Sequence, residues 1–159
     1  MLKILALSLI SLSGYLLFNE IERTLSLGLL QSEEFLRFLV HIKEKVSAYS
    51  LPSSQWCADF QSEALLSCGF ITGESFNSDA EYFLSDKRLF IPKEQREKLA
   101  SFFSENTSAS LELEIKRINN FELEFEKTYQ SFRLEVAKRV KCYGVIIAAI
   151  ALGITILFL

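Results

Sequence analysis

Few side chains in this sequence have the chemistry of a catalytic or metal-binding group. It contains one histidine, His41, and three cysteines, none of which forms a C-x-x-C pair: Cys57, Cys68 and Cys142. A structural zinc ion takes four such ligands at short spacing, and a serine or cysteine nucleophile would depend on His41 as its base. Because His41 lies inside a helical apolar pattern, we expect a structural or solvent-facing residue there. We expect Cys57 and Cys68 to pack in the core.

Acidic side chains are numerous, but their pattern does not indicate acid–base catalysis. Pairs such as Glu33–Glu34 and Glu122–Glu124 suit a helix face in water, and no neighbouring pattern marks a pocket that would shift their pKa values. The sequence also lacks a glycine-rich phosphate loop, a G-x-S-x-G motif and an H-E-x-x-H motif. We therefore expect no enzyme activity, no metal, no cofactor and no small-molecule substrate.

The overall charge favours proteins as partners, and the membrane expected as a further partner follows from the apolar segments described below. Lys and Arg total 17 and Asp and Glu total 20, which gives a net charge of −3 at pH 7 with the two signs interspersed. A nucleic-acid-binding protein would need a basic face. We expect no nucleic-acid partner.

The last third of the chain combines an amphipathic helix with an apolar tail. Between residues 111 and 140 apolar residues recur mostly at steps of three and four, which is typical of a helix with one buried face. From Tyr143 to Leu159 there is no charged residue. A helix of roughly 17 residues is about 25 Å long, slightly less than a hydrocarbon core of about 30 Å. We predict a transmembrane helix over 143–159, preceded by the basic residues Lys138, Arg139 and Lys141.

The first 18 residues are apolar apart from Lys3 and three serines, and they have two interpretations. One is an uncleaved transmembrane helix. The other is a signal peptide cleaved before Gly14, which would make the protein an extracytoplasmic binding protein anchored at its C-terminal end. The apolar run continues to Phe18, past that site, and favours the uncleaved helix. Because most Lys and Arg near the two apolar segments lie on the side of the middle region, we expect that region to be cytoplasmic.

The middle region, residues 19–142, has the pattern of a helical bundle. Only six glycines and two prolines occur in the chain, which argues against a turn-rich β architecture. We predict an all-α fold of about five to six helices flanked by N- and C-terminal transmembrane helices over 1–18 and 143–159. Gly28 indicates a close packing contact inside the first long helix. The predicted helices are Ile21–Tyr49, Ser53–Ser67 after a boundary at Ser50–Pro52, a short helix capped by Ser78 and Glu81, and Lys93–Phe103 after Pro92, with loops at 70–77 and 104–110.

Small residues recur at helical spacing in both apolar segments. Such residues let transmembrane helices approach closely. They predict packing of the two segments on each other or on a partner's helix, and the residues concerned are Ser11, Gly14, Gly144, Ala148 and Ala151.

Four short motifs at corresponding positions suggest a family. They are Met1-Leu2-Lys3 before an apolar segment, Phe18-Asn-Glu20 followed by Arg23, the boundary from Val46 to Pro52, and Tyr143-Gly144 at the start of the apolar tail. In this layout the chain resembles the stage III sporulation protein AB family of endospore-forming bacteria. It departs from that family before the last helix, where residues 103–110 contain no glycine.

The resemblance implies a structural role at a membrane. A member of that family is a component of the mother-cell membrane around the forespore, within a channel assembly required for spore development. Its helical cytoplasmic domain is similar to the platform proteins of type II secretion and type IV pilus machines. The implied partners are a cytoplasmic secretion-type ATPase and other membrane proteins of the channel. The resemblance identifies no partner-binding residue. From the charged helix faces of this sequence, the candidate docking residues are Glu33, Glu34, Arg37, Lys138, Arg139 and Lys141.

Overall fold

The two longest helices of the structure have 48 residues each. A computed structural model of the chain describes residues 2–49, 55–57, 59–73, 75–105 and 110–158, with the side chains of all of these except 2–7, 49, 157 and 158. In chain order its elements are α1 (Leu2–Tyr49), α2 (Glu63–Ser67), β1 (Ile71–Thr72), β2 (Ser75–Phe76), α3 (Ala80–Ser85), α4 (Lys93–Ser104) and α5 (Leu111–Phe158).

Both apolar ends are continuous with these long helices. The sequence predicted a separate helix starting at Ile21, but α1 runs without a break from Leu2 to Tyr49. Neither Asn19 nor Glu20 ends it, because no proline interrupts the backbone hydrogen bonds there. Within the described residues one helix, α5, is long and apolar enough to cross a membrane by length and composition.

The chain divides into two compact units, one of residues 27–132 and one of residues 1–26 with 133–159. The larger unit, called here the helical unit, contains an aromatic core. Phe70 lies at its centre, with ring centroids 4.8 Å from Phe35, 5.4 Å from Phe38 and 5.3 Å from Phe103. All four rings are buried. Aromatic side chains therefore form the centre of the core of the helical unit.

The predicted helix over Ser53–Ser67 is wrong in extent. Among the described residues of this stretch the α-helix runs from Glu63 to Ser67, and Ser62 caps it by accepting a hydrogen bond from the Leu65 amide at 3.2 Å. Asp59 before it has φ +64°, which a helix cannot contain. The predicted boundary at 50–52 and the predicted start at 53 lie outside the described residues.

Two further local predictions are corrected by the structure. The predicted loop over 70–77 contains an antiparallel pair of two-residue strands, in which Ile71 faces Phe76. The short helix after it is capped by Asp79, whose carboxylate accepts a hydrogen bond from the Glu81 amide at 2.9 Å, and Ser78 is not the cap. Asp and Ser are both good helix caps, so the sequence alone did not distinguish neighbouring candidates.

The segment between α3 and α4 is fixed to α1 by a close backbone approach. A Cβ atom added at Gly28 would lie 2.5 Å from the carbonyl oxygen of Phe90. Beside it, the Gln31 amide donates to the carbonyl of Arg88 at 2.8 Å and accepts from the Phe90 amide at 2.7 Å. The predicted packing role of Gly28 is therefore confirmed, since only glycine leaves room for this segment.

A buried polar contact next to Gly28 joins α1 to α4. Ser32 Oγ lies 2.9 Å from the carbonyl oxygen of Gly28 and 2.6 Å from the side-chain amide of Gln95, and both side chains are buried. A hydroxyl carries a single proton. The Ser32 hydroxyl therefore donates to one of two oxygens, the carbonyl oxygen of Gly28 or Oε1 of Gln95.

We predict that Gly28→Ala destabilises the protein. Alanine in a helix is favoured over glycine by about 1 kcal/mol, but here its Cβ would overlap backbone atoms of Phe90, and overpacking costs about 1–3 kcal/mol. Thermal unfolding of the full chain should show a lower Tm. Gly153→Ala is the matched control, because nothing lies within 4 Å of a Cβ at Gly153. Equal Tm values for the two variants would contradict the close approach.

Candidate functional site

The two buried cysteines belong to the core. Burial raises the pKa of the Cys57 thiol to about 11, so it stays protonated at neutral pH. The Cys68 side chain is buried next to Tyr82, whose hydroxyl donates to the Cys68 carbonyl at 3.1 Å. Within the described part of the chain no three His, Cys, Asp or Glu side chains are placed to hold a metal ion. The prediction that Cys57 and Cys68 pack in the core is confirmed.

A surface groove of about 650 Å³ lies along one side of α1 in the helical unit. One wall is a helical stripe of α1, the other wall is the loop before α2, and α5 contributes one aromatic ring. We call this surface the α1 groove; its residues are Glu33, Leu36, Arg37, Val40, His41, Glu44, Asp59, Phe60, Gln61 and Tyr129. It combines an apolar floor with a charged rim.

Phe60 provides much of the apolar floor, and its neighbours fix its position. Its ring centroid lies 5.0 Å from that of Phe38 in the core and 5.2 Å from that of His41. The guanidinium of Arg37 lies over the same ring at 5.5 Å. An aromatic ring held on three sides by other groups is a rigid contact surface, which suits recognition of a partner.

The loop that carries Phe60 is held to α1 by an ion pair. Lys45 Nζ lies 2.9 Å from a carboxylate oxygen of Asp59, and this hydrogen bond lowers the pKa of Asp59. The left-handed backbone of Asp59 is unfavourable for most residues, although Asp and Asn tolerate it best. The ion pair therefore helps to keep the groove's second wall in place.

The rim of the α1 groove is mainly acidic. Glu33 and Glu44 are exposed, and neither forms an ion pair with a described residue. The charge of Arg37 is matched by Glu34, whose carboxylate lies 2.6 Å from the guanidinium. The groove thus presents two unmatched negative charges at its ends, on either side of an apolar middle.

A second cavity, of about 490 Å³, lies near the C-terminal end of α4, and Arg117 lines it. The Arg117 guanidinium donates to the carbonyl of Phe102 at 2.9 Å and pairs with the Glu114 carboxylate at 2.7 Å. Its central carbon also lies 4.2 Å from the centroid of the Phe102 ring. A cation near the last carbonyls of a helix is stabilising. Because its charge and donors are already used within the fold, we interpret Arg117 as a structural link between α4 and α5.

The predicted docking residues lie in two different units. Glu33, Glu34 and Arg37 belong to the helical unit, with Glu33 and Arg37 in the α1 groove. The second set belongs to the unit formed by residues 1–26 and 133–159. This set consists of the exposed residues Lys138, Arg139 and Lys141. Of these, Arg139 pairs with Glu135 at 2.6 Å.

In that second unit the two apolar segments pack against each other as an antiparallel pair. A Cβ at Gly14 would lie 3.3 Å from the Ile147 side chain, and one at Gly144 would lie 3.5 Å from the Phe18 ring. Phe18 precedes the polar residues of α1, and Gly144 lies at the start of the uncharged tail, so both apolar segments begin at the same level. Of the other small residues, Ser11 and Ala148 are exposed and Ala151 is half-buried.

The sequence pattern indicates the α1 wall of the α1 groove but not the wall formed by the loop before α2. Helical spacing from Glu33 leads to Leu36, Val40 and Glu44, so the stripe on α1 could have been recognised. The loop of Asp59 and Phe60 was assigned to a helix, and no local signal links it to α1. In the predicted helix, Asp59 and Phe60 would have helical backbone angles, whereas in the structure they belong to a loop.

No protein-family model, curated protein or solved structure matches this chain.

We predict that Gly14→Leu loosens the apolar helix pair. The added side chain would meet Ile147, where even a Cβ is already a tight contact at 3.3 Å, and overpacking of this kind costs about 1–3 kcal/mol. Thermal unfolding in detergent should show a lower Tm for Gly14→Leu than for Gly153→Leu, whose position is open. A Tm unchanged by Gly14→Leu would show that the two segments do not pack in solution as they do here.

Proposed function

We propose that this protein is a membrane-anchored structural component of a sporulation channel or a related secretion-like complex. In this proposal both apolar segments cross the membrane of the mother cell, and the helical unit faces the cytoplasm. The protein offers a docking surface to a secretion-type ATPase and holds other membrane proteins of the channel. The protein works through contacts and catalyses no reaction.

The antiparallel pairing of the two apolar segments is the observation that carries the proposal. A signal peptide is removed and needs no lasting partner, whereas Gly14 and Phe18 pack on the C-terminal apolar helix at Ile147 and Gly144. The two segments also begin at one level, as the two helices of a membrane hairpin must. Glycines at the contact points are typical of transmembrane helices that approach closely.

The basic residues support the cytoplasmic orientation. Lys138, Arg139 and Lys141 immediately precede the uncharged tail, and cytoplasmic flanks of membrane helices are enriched in Lys and Arg. The exposed α1 groove and this basic group supply two charged surfaces for protein partners. The sporulation channel and its ATPase come from the family resemblance, whose motifs extend from Met1 to Gly144.

The natural cysteines allow a direct test of topology. Cys142 is exposed, whereas Cys57 and Cys68 are buried. We expect a membrane-impermeant maleimide to label Cys142 in inside-out vesicles and to leave it unlabelled in intact cells. A second reporter, Lys87→Cys in a Cys142→Ser background, should give the same pattern from an exposed position in the helical unit.

Cys142→Ser without a second reporter is the control and should remain unlabelled in both preparations. Labelling of either reporter in intact cells would overturn the cytoplasmic orientation. Intact mass measurement addresses the alternative: a mature chain that lacks residues 1–13 would show signal-peptide cleavage and an extracytoplasmic binding protein.

The proposed motor partner can be tested by co-purification. We expect the full chain in detergent to retain the secretion-type ATPase of the same organism, and Lys138→Gln with Lys141→Gln to reduce the retained amount severalfold. Neutral replacements remove charge without adding acidic groups that would alter insertion, and Cys142 labelling checks that topology is kept. Lys93→Gln with Lys98→Gln, on α4, is the matched control. Absence of any ATPase with the unmodified chain would refute this partner.

A further inference from the structure

The outer face of α5 carries a stripe that is complementary to the α1 groove. Lys116, Leu123 and Lys127 are all exposed, with 58% of the Leu123 side chain accessible. Neither lysine forms an ion pair with a described residue. We call these three residues the α5 stripe. It places an apolar residue between two unmatched positive charges.

The spacing of charges on the two surfaces is the same. Lys116 and Lys127 are eleven residues apart, and so are Glu33 and Glu44 on the rim of the groove. Eleven residues make slightly more than three full helical turns, so each pair lies on one face of its helix with about 16 Å between its members. The groove's apolar middle, formed by Leu36, Val40 and Phe60, lies between its two acids as Leu123 lies between the two lysines.

A single copy cannot bring these surfaces together. Tyr129 of α5 lines the groove, and Lys127, two residues earlier, is about 200° away around the same helix. The stripe therefore points away from the groove of its own chain. Each copy has one acidic groove and one basic stripe on different sides, which is the arrangement of a head-to-tail contact.

The order of the charges also matches for copies that stand in the same orientation. Helices α1 and α5 run antiparallel in the helical unit, since a Cβ at Gly28 would lie 3.4 Å from the Phe132 ring and Lys43 pairs with Glu122 at 2.5 Å. From one end of the unit to the other, the order on α1 is Glu33 then Glu44, and the order on α5 is Lys127 then Lys116. Two copies side by side would thus place Glu33 opposite Lys127 and Glu44 opposite Lys116.

We propose that the α1 groove binds the α5 stripe of a second copy of this chain. The contact uses different surfaces on the two copies, so each copy can bind one neighbour through its groove and another through its stripe. It rests on the membrane anchor proposed above, which brings copies of the chain together in one membrane. The groove is then occupied by the neighbouring copy, and the ATPase docks on other surfaces.

Charge exchange between two tagged copies of the full chain provides the test. Glu33→Lys with Glu44→Lys makes both surfaces basic, and Lys116→Glu with Lys127→Glu makes both acidic. Co-expressed copies that carry the same pair of reversals should co-purify at least about tenfold less than unmodified copies, since two attractive pairs become repulsive. Co-expression of one variant with the other restores opposite charges and should restore co-purification.

Restoration in the mixed pair also shows that both variants are folded. Lys93→Glu with Glu97→Lys is the control and should leave co-purification unchanged, because this exposed pair on α4 lies outside both surfaces. When isolated membranes are oxidised with copper phenanthroline, a disulfide between copies should form in a Cys142→Ser chain that carries Val40→Cys and Leu123→Cys. Neither single cysteine should give this product.

Self-association that survives the reversals, or a mixed pair that fails to recover, would overturn the proposal. The proposal would also be overturned if reversal of the groove charges reduced binding of the ATPase and left self-association unchanged. The groove would then be the binding site of the ATPase. Cys142 labelling reports the membrane anchor independently, so failure of this contact can be distinguished from failure of the proposed topology.

Discussion

Burial of one face of α1 is the interaction on which the helical unit depends. Helices α2 and α3 have five and six residues, far below the length at which a helix is stable by itself in water. They persist because Phe70 and Phe83 pack on Phe35 and Phe38 of α1. Packing on the apolar side of α1 therefore stabilises the short helices.

Polar contacts on the same helix fix the position of these elements. Apolar burial is strong but tolerates sliding, whereas hydrogen bonds need defined distances and angles. The Gln31 side chain bonds the backbone on both sides of Leu89, and Gly28 allows that backbone to come close. Ser32 adds a buried link to Gln95 on α4. Together these contacts specify where the segment between α3 and α4 lies along α1.

The surface of the helical unit is formed by the faces of α1 and α5 that are not buried in the core. The buried face of α1 takes up the aromatic residues, so its neighbouring stripe from Glu33 to Glu44 stays at the surface beside Phe60. On α5 the face opposite Ile118 and Phe125 carries lysines and leucines in place of a second apolar stripe. In the proposed assembly these two surfaces join neighbouring copies.

The sequence by itself determined the features that depend on local periodicity. Steps of three and four residues located α5 and most of α1, Pro92 marked the start of α4, and the uncharged run after Cys142 marked the apolar tail. These predictions succeed because a helix's hydrogen bonds and buried face are set by nearby residues.

Only the tertiary structure decided the features that depend on distant residues. The strand pair at Ile71–Phe76 and the turn at Asp59 occur where the sequence predicted a loop and a helix, because packing on α1 overrides local preference there. Gln31 and Phe90 are 59 residues apart, and the groove joins residues from α1, from the loop before α2 and from α5. No local pattern specifies such pairings, since each depends on which faces the folded chain buries against one another.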